Sequence, residues 1–123
     1  IAAADARPYV VLQSFSPVVC FLAREAAPTL RVELLLQNDA EYPGRWDQLH
    51  RFGRAIGVAG FNPDYHALTP ERLAGLQNAG TRCHCYTVDT PEDWLRLARM
   101  GVDGLITNTP AACLATLREA GLR

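Results

Sequence analysis

Residues 82–101, Arg-Cys-His-Cys-Tyr-Thr-Val-Asp-Thr-Pro-Glu-Asp-Trp-Leu-Arg-Leu-Ala-Arg-Met-Gly, contain one complete strand–helix unit. Arg82 to Val88 reads as a strand. Thr90-Pro91-Glu92-Asp93 then starts a helix, with threonine as the capping residue and proline in the first turn, where its missing N–H breaks no bond. Gly101 ends the helix.

The same unit recurs on both sides. Downstream, Gly104 to Asn108 is a strand, Thr109-Pro110 starts a helix and Gly121 stops it. Upstream, Val58 to Asn62 is a strand, Thr69-Pro70-Glu71 starts a helix and Gly80 stops it. Thr69 to Gly80 and Thr90 to Gly101 each span eleven positions, and Thr109 to Gly121 spans twelve. Further upstream, Val10 to Phe15 and Val32 to Gln37 read as strands. Ser16-Pro17 opens a helix that stops before Pro28. After a polar loop over 38–44, Trp46 to Ile56 sets Leu49, Phe52, Gly53 and Ile56 on one helical face, and Gly57 closes it. Short strands alternating with helices of one length imply βα units and a parallel sheet. The strands are apolar along most of their length, as strands covered on both faces are.

The bulk numbers agree with one α/β unit over 1–123. About half of the residues are apolar (49%), a fifth are charged (20%) and the formal net charge is −1, so no basic footprint points to nucleic acid or to an anionic membrane surface. All 12 basic residues are arginine. No apolar run approaches the roughly eighteen residues of a membrane span, and no signal peptide opens the chain. The chain starts at Ile1, and Ile1 to Val10 reads as a loop leading into a strand, so an N-terminal portion is expected to be missing. Cys20, Cys83, Cys85 and Cys113 show no disulfide framework, which slightly favours the cytoplasm; no other address is legible. Cys83 and Cys85 share a strand face. They read as small buried apolar residues in preference to a metal pair, which usually takes C-x₂-C spacing.

Nearly every strand finishes in small polar groups: Gln13 and Ser14, Gln37 and Asn38, Asn62, Thr87 and Asp89, Thr107 and Asn108. A parallel barrel gathers its active site at these ends, and an open doubly wound sheet places its crevice there. The plainer reading is that loops begin there and loops are polar. Of the three histidines, His50 is expected at the surface beside an apolar stripe, and His66 lies in the loop after Asn62, near the mouth. His84 shares a face with Tyr86 one pleat deeper, as a hydrogen-bonded interior histidine would. Phe15 and Tyr86 flank the mouth, where they either pack against a ligand or belong to the core. Trp46 and Trp94, at helix starts, are expected to cover the barrel wall. No two neighbouring strand ends pair carboxylates, so no metal site is expected from these residues.

Three segments carry a family resemblance. Gln13-Ser14-Phe15-Ser16, Tyr86-Thr87-Val88-Asp89 and Gly101-Val102-Asp103-Gly104-Leu105-Ile106-Thr107-Asn108-Thr109-Pro110 resemble, in order, segments of the C-terminal half of the glycerophosphodiester phosphodiesterase family. Asn108 stands where the family usually has aspartate, Tyr86 where tryptophan is common and Asp89 where asparagine is common. The resemblance implies the C-terminal portion of a (β/α)8 TIM-type barrel, with the N-terminal half missing. It implies a fragment of a metal-dependent enzyme that hydrolyses glycerophosphodiesters to an alcohol and glycerol phosphate. Ser14, Phe15, Tyr86 and Asn108 would then line the substrate side of the mouth. In the intact enzyme a divalent cation, calcium or magnesium, and two histidines would do the chemistry. The family's His-Arg-Gly, His-Asp and Glu-x-Asp motifs do not occur in this chain, so the chain alone is expected to be inactive. The alternative is a non-catalytic half-barrel that binds or assembles. A half-barrel leaves two strand edges and an inner face open, so self-association or pairing with the missing half is expected.

Overall fold

The structure is a computed structural model that describes residues 10–40 and 42–122. The reading of Ile1 to Tyr9 as a lead-in lies outside the described residues. Five strands form one parallel sheet in the order β1-β2-β3-β4-β5, with β1 at Val11–Ser14, β2 at Arg31–Leu36, β3 at Gly60–Pro63, β4 at Arg82–Cys85 and β5 at Gly104–Leu105. The helices between and after them are α1 (Pro17–Ala26), α2 (Arg45–Ile56), α3 (Pro70–Gln77), α4 (Pro91–Met100) and α5 (Pro110–Glu119). Strand order follows chain order without a reversal. Right-handed crossovers then put every helix on the same face, which is barrel geometry and not the two-faced cover of a doubly wound sheet.

The helix starts form where the local chemistry places them. The side-chain oxygens of Ser16, Thr69 and Thr90 accept from the backbone N–H groups of Val19 (3.2 Å), Arg72 (3.1 Å) and Asp93 (3.4 Å). Each such cap stabilises its helix by about 1 kcal/mol. Thr109 makes no such bond although Pro110 still begins α5. Gly57 and Gly101 close α2 and α4 in the left-handed conformation, at φ 74° and 107°. The third helix ends three residues earlier than its glycine suggests. After Gln77 the chain tightens into a 3-10 turn over Asn78–Gly80. The carbonyls freed there are taken up: Arg54 donates to the Gly75 and Leu76 oxygens at 2.7 and 3.1 Å, and the Thr81 hydroxyl donates to the Leu76 oxygen.

The core lies between sheet and helices. Val32, Leu34, Leu36, Phe61, Cys83 and Cys85 point to the helices and are buried, as are Leu76, Leu97, Trp46 and Trp94. Each large apolar side chain so buried contributes about 1.5–3 kcal/mol. The thiols are free, and burial pushes Cys83 far up and Cys85 to about 12, so both behave as small apolar groups. A Cβ at Gly53 would lie 2.4 Å from the Phe61 ring, so the missing side chain lets α2 settle on β3. His50 is half-buried in that contact and not free at the surface: its ring meets Phe61 edge-on at 5.1 Å, and Nε2 accepts from Arg54 at 3.3 Å.

Candidate functional site at the strand ends

Strand alternation sorts the side chains of the other face. Val11, Gln13, Arg31, Glu33, Arg82 and His84 line an open recess of about 560 Å³ on the helix-free side of the sheet. Barrel interiors are mostly filled by branched apolar residues; here Leu105 and Ile106 share the lining with a cluster of polar and charged side chains. Glu33, 1% exposed, accepts from Asn62 Nδ2 at 2.9 Å and from Arg31 at 3.3 Å, and His84 Nδ1 lies 3.1 Å from it. Asn62 is fully buried in this cluster, beneath the mouth at which its place near a strand end would set it.

The next layer up is the mouth. Phe15 and Tyr86 follow β1 and β4, which a flat sheet would separate by three strand spacings of roughly 4.8 Å each. Their ring centroids are 5.9 Å apart and the planes cross at 89°. A contact at that distance, between strands that are not neighbours, follows from a sheet curled about its inner face. The Tyr86 hydroxyl donates to the Leu36 oxygen at 3.0 Å, tying β4 to β2. Burial, then the nearby Asp64 carboxylate, pushes the phenol up to about 12, so the hydroxyl stays protonated and the ring face is what remains for a ligand.

Of the other residues singled out, Asn108 is exposed at the end of β5. Its backbone N–H and Nδ2 donate to Asp89 at 2.9 and 2.8 Å, and the Thr107 hydroxyl donates to the same carboxylate at 2.9 Å. These bonds, the Asn108 N–H first, hold the Asp89 carboxyl below its usual range. Ser14 lies elsewhere. Alternation turns it to the face opposite Gln13 and Phe15, where its Oγ accepts from the Ser16 N–H at 3.0 Å and shapes the entry to α1. The structure thus brings Phe15 and Tyr86 together, holds Asn108 at the adjoining strand end and gives Ser14 a turn-forming role.

Asp64 escaped the sequence reading. It extends β3 by one bridge to Tyr86, and its N–H donates to the Leu36 oxygen at 2.8 Å. Counting by twos from Gly60 through Asn62 places it on the inner face. Its Oδ1 accepts from the His66 N–H at 3.0 Å and lies 2.8 Å from His66 Nδ1. Among the described residues no three of His, Cys, Asp and Glu converge as a metal site would require. The mouth carboxylates Asp64 and Asp89 are held by His66 and by Asn108 with Thr107, so these residues do not by themselves fit a catalytic cation.

A one-sided parallel β/α sheet whose mouth is lined from successive strand ends defines part of a (β/α) barrel. The family model of the glycerophosphoryl diester phosphodiesterases matches residues 2–112, and the chain belongs to that family. It is 30% identical over 112 residues to a glycerophosphodiester phosphodiesterase of Caldanaerobacter subterraneus, covering 91% of this chain and 44% of the relative. A glycerophosphoryl diester phosphodiesterase structure from Silicibacter pomeroyi superposes with TM-score 0.82 at 28% identity, covering 97% of this chain and 42% of that one. An Oleispira antarctica phosphodiesterase in complex with sn-glycerol-3-phosphate shares the fold at TM-score 0.74 and 15% identity, covering 88% and 41%. The chain therefore spans less than half the length of these relatives.

Proposed function

We propose that this chain forms the substrate-side portion of a glycerophosphodiester phosphodiesterase, which hydrolyses a small glycerophosphodiester to an alcohol and glycerol phosphate. The observation that carries this reading is the Phe15–Tyr86 contact at the mouth. Two rings at 5.9 Å and near right angles make an apolar wall against which the carbon skeleton of a glycerol or alcohol group packs. Asn108, held by Asp89, offers a fixed amide on the neighbouring strand end. The chain's part is to bind and orient, and to keep water from one side of the diester. A calcium or magnesium ion would be held by carboxylates outside these residues, and the acid–base histidines would also come from complementing strands.

The test is release of glycerol 3-phosphate, read by a coupled dehydrogenase. The chain alone is expected to release none. Assembled with strands that carry His-Arg-Gly and Glu-x-Asp motifs, it is expected to release product in a reaction that a chelator stops. A folded assembly that binds no glycerophosphodiester would overturn the reading in favour of a non-catalytic module.

A further inference from the structure

Asp64 caps the 3-10 turn Tyr65–Ala67 through the His66 N–H, and the His66 ring lies against the Tyr65 ring at 4.1 Å between centroids, yet neither role uses Asp64 Oδ2 or His66 Nε2. His66 keeps 64% of its side chain exposed and Asp64 keeps 26%; Asp64 is bridged through its backbone to Tyr86 at the end of β3, with its carboxylate near the Tyr86 phenol. A carboxylate only accepts, so at 2.8 Å the hydrogen of this contact sits on His66 Nδ1. In the neutral ring that leaves Nε2 as an acceptor directed away from Asp64. Oδ1 already takes the His66 N–H and the ring N–H, while Oδ2 has no bonded partner among the described residues. The corner therefore presents two acceptors, one of them anionic, beside an aromatic face. The guanidinium on the adjoining helix does not neutralise it: Arg72 makes two bonds to Asp39, at 3.2 and 3.0 Å, and a third to the Ala67 oxygen.

We propose that Asp64 and His66 are the specificity corner for the alcohol group of the diester, and that they select alcohols carrying N–H or O–H donors, a primary ammonium above all. This rests on the mouth reading given above. A primary ammonium supplies up to three donors and a positive charge, which suits a carboxylate, an imidazole acceptor and a ring face together. A trimethylammonium group has the charge but no donor, so it leaves His66 Nε2 unused. A phosphorylated alcohol meets Asp64 with like charge.

The 123-residue chain itself can be tested by NMR, following the ring signals of His66, Phe15 and Tyr86. The probes are sn-glycero-3-phosphoethanolamine and sn-glycero-3-phosphocholine. The ethanolamine diester is expected to shift His66 saturably and to bind about fivefold more tightly, the upper range for one ion pair at an exposed site. His66→Gln and Asp64→Asn are each expected to bring that ratio near one. His66 is on the surface, so its variant keeps the fold and the comparison holds even if the Asp64 variant is lost. Equal shifts of His66 by both diesters overturn the corner, as does movement of Phe15 and Tyr86 with His66 still; the mouth reading survives either result. No shift at any of the three rings overturns both.

Discussion

His84 Nδ1 lies 3.1 Å from Glu33 Oε1, a contact between residues 51 apart in sequence that joins β4 to β2 over the intervening strand. Asn62 of β3 donates to the same oxygen at 2.9 Å, so three consecutive strands meet on one carboxylate. Burial by itself would raise the Glu33 carboxyl. The hydrogen bonds from His84, Asn62 and Arg31, with the charge of His84, outweigh it and hold the group at about 2.

A carboxyl depressed in the fold stabilises it above the unfolded value, and that contribution is lost as pH falls through the folded value. For Glu33 the window runs from about 4.5 down to about 2. Glu33→Gln is expected to cost about 3 kcal/mol near neutral pH, the usual price of stranding a buried partner. It is also expected to flatten the acid limb of stability. Urea midpoints measured from pH 7 to pH 2 check both, and parallel curves for the two proteins would contradict the linkage.

Glycine at 104 is what lets the His84 ring approach β5 closely. A Cβ there would stand 2.5 Å from His84 Cδ2, well inside contact distance. Gly104→Ala is expected to destabilise by about 1–3 kcal/mol through overpacking, and to move His84 off Glu33. Chemical denaturation gives the first quantity and the His84 ring signals give the second. A Gly104→Ala protein with unchanged His84 signals would show that the strand yields instead of the ring.

The repeat of strand, Thr-Pro cap and closing glycine was legible because each signal is local: Thr69 and Thr90 need only the next three residues to cap. The Phe15 and Tyr86 rings were legible as mouth residues because they follow strand ends. Glu33 was not, since it stands in an apolar run and its partners arrive from β3 and β4 through register alone. Ser14 and Asn62 were misplaced for a related reason. Polarity near a strand end does not say which face a residue takes, and a shift of one position changes the face. Asp64 was hidden behind Pro63, which reads as a strand breaker although β3 includes it.

Tyr86 offers a cleaner separation of fold from surface. Tyr86→Phe removes the 3.0 Å bond to the Leu36 oxygen and keeps the edge-on contact with Phe15. The expected loss is about 1 kcal/mol, with the Phe15 ring signals in place. In the unaltered protein the phenol, pushed up to about 12, is expected to ionise above the ordinary phenol range when absorbance at the phenolate band is followed with rising pH.

The strand edges lead to the last expectation, for the 123-residue chain in solution. Beyond β1 and beyond β5 no further strand is paired among the described residues. The β1 edge carries Val11 at 43% exposure, and α1 next to it leaves Val18 and Leu22 at 62% and 57%. Open edges beside apolar surface template association. The chain is therefore expected to run at twice its 13.5 kDa or above by light scattering, and to bind a hydrophobic dye. Joint Val18→Lys and Leu22→Lys substitution, which places charge beside the open edge without touching the core, is expected to shift the population toward monomer. A monomer with little dye binding in the unaltered chain would mean that the edge and the α1 surface are tolerated in water, and the association argument would fall.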